Sequence, residues 1–364
     1  MKLLDICETI VDCPHSTAKD EGTGYPLIRT PNVGKGRLKL AGVHRVSENV
    51  YNQRNERAVP QVDDLILARE APVGNVAIIR QGQQVCLGQR TVLIRPNKEY
   101  VDPDYLVYYL LSPELQHKLL SSANGATVSH LNMSSIRSLE VQVPEIEVQK
   151  MIGAILARID DKIELNTAIN ENLEQQAQAI YRSMFVTLHH DSDRMGLLSE
   201  LITVKYGKDH KKLNDGIYPV YGSGGIMRYV ERPLYDKESV LIPRKGSLNN
   251  VMYVNEPFWS VDTMFYTEMK QPNVAKFVFH FVKSKDLASL NAGSAVPSMT
   301  TDILNSMELR IPSADRLAEF EGLVAPLYRA IEDNTRQSAR LAALRDTLLP
   351  KLMNGEIDVS AVKI

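Results

Sequence analysis

Three short stretches carry residue types that could do chemistry. "YPVYGSGGIM" (218–227) holds Gly222, Ser223 and Gly224 at the G-x-G spacing that lets a backbone approach a phosphate or cofactor closely. "NEPF" (255–258) has the outline of the tetrapeptide with which amino-methyltransferases hold a target amine. "VDTMFYTEMK" (261–270) sets Asp262, Glu268 and Lys270 at roughly the spacing of a nuclease metal site. Each fails on its surroundings. A cofactor loop leaves a strand and opens a helix, whereas "MRYVERPLYDKESVLIP" reads as strand and turn. The Gly-rich stretch is therefore expected to be a tight turn, or a loop whose glycines admit a nucleic-acid backbone. Glu256 stands where the amine-holding motif needs proline. The Asp…Glu-x-Lys spacing is read as coincidence. His189 and His190 fall in a linker without ligand-spaced partners. The chain is expected to bind no metal and no cofactor of its own.

The elements that would position any site are written twice. "NGATVSHLNMSSIRSLEVQVP" (124–144) aligns with "AGSAVPSMTTDILNSMELRIP" (292–312) at an offset of 168, pairing Gly125 with Gly293, Val128 with Val296 and Pro144 with Pro312. The same offset pairs "KIELNT" (162–167) with "AIEDNT" (330–335). Upstream the offset drifts, to 175 for "DDLILAREAPVGNVAII" (63–79) against "ESVLIPRKGSLNNVMYV" (238–254), and to 193 for "YPLI" (25–28) against "YPVY" (218–221). One half of each copy keeps its length while the other takes insertions, as a fixed scaffold carrying variable surface loops would.

The constant half predicts a long helix. Ile152, Ile155, Ile159, Ile163, Asn166, Asn170, Leu173, Ala177, Ile180 and Met184 step by three and four. Their counterparts are Phe320, Leu323, Leu327, Ile331, Asn334, Ser338, Leu341, Arg345, Leu348 and Leu352. Asn166 and Asn334 hold equivalent seam positions, where a buried Asn fixes register. Pro326 predicts a kink, or a helix start near it. The variable half predicts strands: "DDLILA", "NVAIIR", "TVLIRP", "SVLIPR" and "NVMYVN" are short, β-branched and bounded by turn residues. "DYLVYYLLSPELQHKLLS" adds short helices.

Composition is that of a globular protein, with 44% hydrophobic and 24% charged residues and a net charge of −2. Three cysteines suit neither a disulfide framework nor a zinc site, which predicts a cytoplasmic setting, and no apolar run predicts a membrane span. Charge alternates by region. Seven bases face two acids from Arg29 to Arg57, seven acids face four bases from Glu145 to Arg182, and nine bases face five acids from Lys205 to Lys245. Two basic regions permit a footprint for a polyanion.

Two loop-variable domains and two equivalent helices resemble the specificity subunit of type I restriction–modification systems, over essentially the whole chain. "NTRQSARLAALRDTLLPKLMNGEIDV" (334–359) resembles that family's distal region and "KIELNTAINENLEQQAQAIYRSMF" (162–185) its central one. "TIVDCPHST" with "YPLIRTPNVGKG", and "YPVYGSGGI" with "LIPRKGSLNNVMYVNEPFWSVDTMF", resemble its target-recognition domains. The resemblance implies an α+β fold: two mainly β target-recognition domains (1–145 and 189–312) joined by two long antiparallel coiled-coil helices, in a central helical region (146–188) and a distal helical region with the C-terminal tail (313–364), with an internal pseudo-twofold repeat. It implies a bipartite double-stranded DNA target. It also implies modification subunits that carry S-adenosylmethionine and methylate adenine, and restriction subunits that translocate and cut. The chain would then be a reader and not an enzyme. A helix from Val148 to Phe185 would span about 57 Å, longer than a duplex turn of roughly 34–36 Å.

The expected DNA contacts follow from charge and loop position, because Arg or Lys reads guanine, Asn or Gln reads adenine, and other bases of the chain hold phosphates. They are Arg29, Asn32, Lys35, Arg37, Arg69 and Arg90 in the first domain. In the second they are Lys208, Lys211, Lys212, Ser223, Arg228, Arg244 and Lys245. Ile163, Asn166, Leu173, Ile331, Asn334, Leu341 and Leu348 mark the helices expected to dock the other subunits. Two alternatives stay open: a self-contained DNA methyltransferase or nuclease, and a coiled-coil adaptor without DNA affinity.

Overall fold

The computed structural model describes residues 1–121, 130–187, 192–290 and 298–359. The pairs Gly125/Gly293 and Val128/Val296, and the dipeptide His189–His190, lie outside them. Two compact units divide the chain: Met1–Thr167 with Asn334–Ile364, and Ala168–Asp333.

In the first unit the strands are β1 (Cys7–Asp12), β2 (Tyr25–Ile28), β3 (Gly36–Arg37), β4 (Arg45–Val46), β5 (Leu65–Ala68), β6 (Val76–Ile78), β7 (Cys86–Leu87) and β8 (Thr91–Pro96). The helices are α1 (Glu48–Arg54), α2 (Pro103–Leu111), α3 (Pro113–Ser121), α4 (Met133–Arg137) and the start of α5 (Ile146–Arg182). The second unit has β9 (Arg194–Leu197), β10 (Ile202–Tyr206), β11 (Asp215–Gly222), β12 (Gly225–Val230), β13 (Ser239–Pro243), β14 (Met252–Val254), β15 (Trp259–Ser260), β16 (Met264–Met269) and β17 (Glu308–Ile311). With them go α6 (Ala275–Lys283), α7 (Thr301–Asn305) and part of α8 (Ala314–Met353).

The repeat read from sequence is a repeat of topology. The main sheet of the first unit runs β1-β8-β5-β6-β3, and that of the second runs β10-β16-β13-β14. A smaller sheet runs β4-β2-β7 in one and β12-β11-β15 in the other, with β2–β7 and β11–β15 both parallel. The drift in offset now has a location. Between β2 and β4 the first unit inserts a segment whose β3 extends its main sheet beside β6, where the second unit has a two-residue turn.

Each main sheet is covered on both faces, so the middles of its central strands are apolar on both sides, as in LILA of β5 and VLI of β13. Leu65 and Leu67 of β5 enter the core formed with α2, α3, Ile152, Leu156 and Leu352, while Ile66 and Ala68 point into a second core with Ile28, Ala77 and Leu93. The same alternation sends Val240 and Ile242 of β13 toward α6 and Phe320, and Leu241 toward Phe258 and Trp259. A fully buried Leu, Ile or Phe contributes about 1.5–3 kcal/mol. Helix α2 starts at Pro103, with the Asp102 carboxylate accepting from the Tyr105 amide at 2.9 Å.

Helix α5 has 37 residues and α8 has 40. Their contacts run in opposite directions in both units. Asp160 meets Arg345 and Asn166 meets Ser338 in the first, and Asn170 meets the Ile331 carbonyl in the second. Two expectations are corrected. Helix α8 starts at Ala314 and not near Pro326, which lies inside it, because its apolar stripe continues on both sides of the proline. Leu323 faces solvent, and the inward stripe is instead Leu317, Phe320, Val324, Tyr328, filling the core beside α6. Among the described residues no helix is long and apolar enough to cross a membrane.

Candidate nucleic-acid interface

One loop junction is built twice. In the first unit the Leu131 amide donates to the Arg69 carbonyl at 3.1 Å and the Arg69 amide to the Arg90 carbonyl at 2.9 Å. In the second, Met299 donates to Arg244 at 2.9 Å and Arg244 to Thr263 at 2.9 Å. The segment after the parallel strand seats on this loop in both. Thr30 Oγ1 donates to the Ala71 carbonyl at 3.2 Å, and a Cβ on Gly246 would stand 2.8 Å from Ser223 Oγ. Asn75 donates to the Val33 carbonyl at 3.0 Å, and its counterpart Asn250 donates to the Ser223 carbonyl at 2.7 Å. The junction after β5 or β13 is therefore a fixed frame on which side chains vary.

In the second unit Ser223 and Gly224 form a two-residue β-hairpin turn between β11 and β12, with Gly222 opposite Gly225. Gly225 has φ of +107°, which a side chain would strain. A strand follows, not the helix that a cofactor loop opens. The Arg244 guanidinium lies 5.4 Å from the centre of the half-exposed Tyr206 ring and donates to the Asp262 carbonyl at 3.1 Å. Lys245, Lys208, Lys211 and Lys212 are exposed. The backbone of Lys208 is pinned, its carbonyl accepting from Trp259 Nε1 at 2.8 Å and its amide donating to the Ser260 carbonyl at 2.8 Å. The carboxylate of Asp209 accepts from the Lys211 amide at 3.0 Å, which turns the lysine pair outward. Arg228 is committed within the unit, donating to Asp215 at 2.7 Å and to the Leu213 carbonyl at 3.0 Å.

The first unit departs from expectation at three positions. Asn32 is buried, accepting from the Arg29 amide at 3.1 Å and donating to the Lys39 carbonyl at 3.2 Å, so it shapes its own loop. Arg37 is buried against α5, donating to the Ala157 carbonyl at 3.2 Å and to Asp161 at 2.6 Å. Burial works against its charge, but Tyr108, Asp161 and Asp160 outweigh it and raise its pKa. Arg69 is buried too, held by the Leu131 carbonyl at 2.7 Å, Asp12 at 2.8 Å and His130 at 2.8 Å. These three brace the scaffold. Lys35 and Arg90 are exposed and Arg29 is half-buried, with Arg90 paired to Glu70 at 2.8 Å.

Spacing alone missed Tyr206 and Glu70. The offset that aligns "DDLILAREA" with "ESVLIPRKG" already sets Glu70 against Lys245. Asp262, Glu268 and Lys270 do not converge on a site: Glu268 pairs with Lys205 at 3.6 Å and Lys270 donates to the Ser199 carbonyl at 2.6 Å.

The helices carry a polar lock in each unit. Tyr108 donates to Asp160 at 2.6 Å, and Arg345 donates to the other oxygen at 2.6 Å. Burial and the adjacent carboxylate raise the Tyr108 pKa. At the equivalent place His280 meets Gln178 at 2.7 Å and Tyr328 at 3.0 Å. Asn166, fully buried, donates to Gln337 at 2.9 Å and Ser338 at 3.1 Å. Ile163, Leu173, Asn334 and Leu341 are half-buried along the helices, Leu348 packs on the first unit's core and Ile331 on the second's. The seam between the helices is thus largely covered within the units. The exposed apolar residues of the helices are Leu165 and Leu344 in the first unit and Ile169 and Leu323 in the second.

A framework written twice, with charged groups on the same junction of each copy, defines a protein of two repeated α+β units. The chain belongs to the type I restriction modification DNA specificity family, whose domain model matches residues 1–175 and 196–316. It is 22% identical over 361 residues to the type I restriction enzyme MjaIX specificity subunit of Methanocaldococcus jannaschii, covering 87% of this chain and 83% of that one. It is 23% identical over 378 residues to the HindI specificity subunit of Haemophilus influenzae, covering 73% and 80%. The crystal structure of a type I restriction–modification S subunit from M. genitalium shares the fold, with a TM-score of 0.58 and 17% identity over 97% of this chain and 95% of that one.

Proposed function

We propose that this chain is the sequence-reading subunit of a type I restriction–modification complex, with no catalytic activity of its own. Each unit reads one half of a bipartite duplex target, through the junction after β5 in one and after β13 in the other. The observation that carries this reading is the duplicated junction, whose backbone bonds are retained while its side chains change. A recognition module needs a constant frame and variable contacts. In the second unit Arg244 and Lys245 are suited to guanine edges, and Lys208, Lys211 and Lys212 to phosphates. Helices α5 and α8 dock modification subunits on their outer faces, and those subunits carry S-adenosylmethionine. Restriction subunits complete the complex.

Two measurements test this. Methylome sequencing of cells with and without the gene should reveal one split motif whose modification disappears with the gene. Transfer of a radioactive methyl group to duplex DNA should require the modification subunits. Methyl transfer by the isolated chain would refute the reader role.

A further inference from the structure

Glu70 stands where the second unit has Lys245, on the same backbone frame and one residue past the equivalent arginines. A carboxylate on a surface that meets DNA is repelled by phosphates unless it is neutralised. Here it is neutralised, with its side chain held in place and 15% exposed. Arg90 Nη1 holds one oxygen at 2.8 Å, and His130 Nδ1 holds the other at 3.0 Å. Arg69 can only donate, and its Nη2 lies 2.8 Å from His130 Nε2, so Nε2 accepts and Nδ1 is the donor to Glu70. Asp12 in turn holds Arg69 at 2.8 Å. Four side chains drawn from four loop or strand segments, Asp12, Arg69, Arg90 and His130, thus converge to orient one carboxylate, beside the exposed guanidinium of Arg90. A loop brace alone would not need a negative charge at the position that carries Lys245 in the other copy.

Resting on the DNA-reading function above, we infer that Glu70 is a specificity residue of the first unit and accepts a hydrogen bond from the amino group of a cytosine. The chemistry selects that base. Guanine and thymine present acceptors in the major groove, which repel a carboxylate, and adenine sets its N7 acceptor beside its amino group. Cytosine offers an amino donor without such an acceptor. The two units would then read with opposite charge from one position, Lys245 toward acceptors and Glu70 toward a donor.

The test is selection from a randomised duplex library by the full chain co-assembled with its modification subunits, comparing wild type, Glu70→Gln and Glu70→Ala. Wild type should select cytosine at one position of one half-site. Glu70→Ala should reduce that preference by roughly five- to a hundredfold, and Glu70→Gln should admit adenine there, because an amide matches its N6 and N7. The other half-site should stay unchanged in both. If Glu70→Gln and Glu70→Ala select the wild-type sequence, or lose affinity evenly at all positions, Glu70 is only a brace and the inference is overturned. If wild type itself selects no sequence, the DNA-reading function fails instead.

Discussion

Arg69 and Arg244 occupy one position of a duplicated frame, and each guanidinium lies on the residue that ends the first strand of its sheet. In one unit that residue is Asp12, at 2.8 Å; in the other it is Tyr206, with the guanidinium 5.4 Å from the ring centre. A buried ion pair locks a side chain in place, whereas a half-exposed aromatic ring leaves its guanidinium available to a ligand. Arg244→Ala should therefore relax one base position by about 1–3 kcal/mol and leave folding intact. Arg69→Ala should instead destabilise the first unit by about 3–5 kcal/mol, since it removes the buried partner of Asp12 and the donor to the Leu131 carbonyl. Denaturant titration of both variants, with target selection by Arg244→Ala, checks the contrast.

Lys211 and Lys212 are exposed on a loop whose backbone is held by Asp209 and Trp259. Replacing both with alanine should weaken DNA binding without changing sequence preference. The slope of log K against log salt should fall by roughly 0.9 per lost phosphate contact. An unchanged slope would remove the pair from the footprint.

Truncation after Asn334 should abolish co-purification with the modification subunits. It should also unfold the first unit, because Leu348, Leu352, Ile357 and Val359 complete that unit's core. The second unit should persist. Its Trp259 is the chain's single tryptophan, so fluorescence reports that unit alone. Loss of the tryptophan transition would contradict the division.

His280 predicts an acid sensitivity confined to the second unit. Burial, with Lys283 nearby, lowers its pKa from 6.5 to about 3. A depressed histidine pKa means that the unfolded chain binds the proton first. Between those two values stability therefore rises with pH and falls on acidification. Going from pH 7 to pH 5 should destabilise the unit by about 2 kcal/mol. Denaturant midpoints read from Trp259 fluorescence should show this slope, and His280→Gln should flatten it.

Asn166 has no exposed surface, and its Oδ1 meets no donor. Asn166→Leu should stabilise the first unit by about 1 kcal/mol while loosening helix register, since a seam asparagine trades stability for alignment. A higher melting temperature accompanied by broadened helix resonances in NMR spectra would be the signature.

The amino-acid sequence by itself determined the plan of this protein. Offsets of 168, 175 and 193 mark the repeat, and apolar steps of two or of three and four mark strands and helices. Those signals are local and periodic, so they survive without knowledge of the fold. Even the Gly-rich turn at Ser223 was legible, since a strand pattern follows it. What only the tertiary structure decided is which cations are free. Arg69 and Arg244 look alike in sequence, but the carboxylate that captures Arg69 lies 57 residues away, and the carboxylates that capture Arg37 lie on α5. The same holds for Leu323 against Val324, where a single step of about 100° around the helix separates solvent from core. Side-chain availability depends on partners brought together by packing, and spacing along the chain carries no record of them.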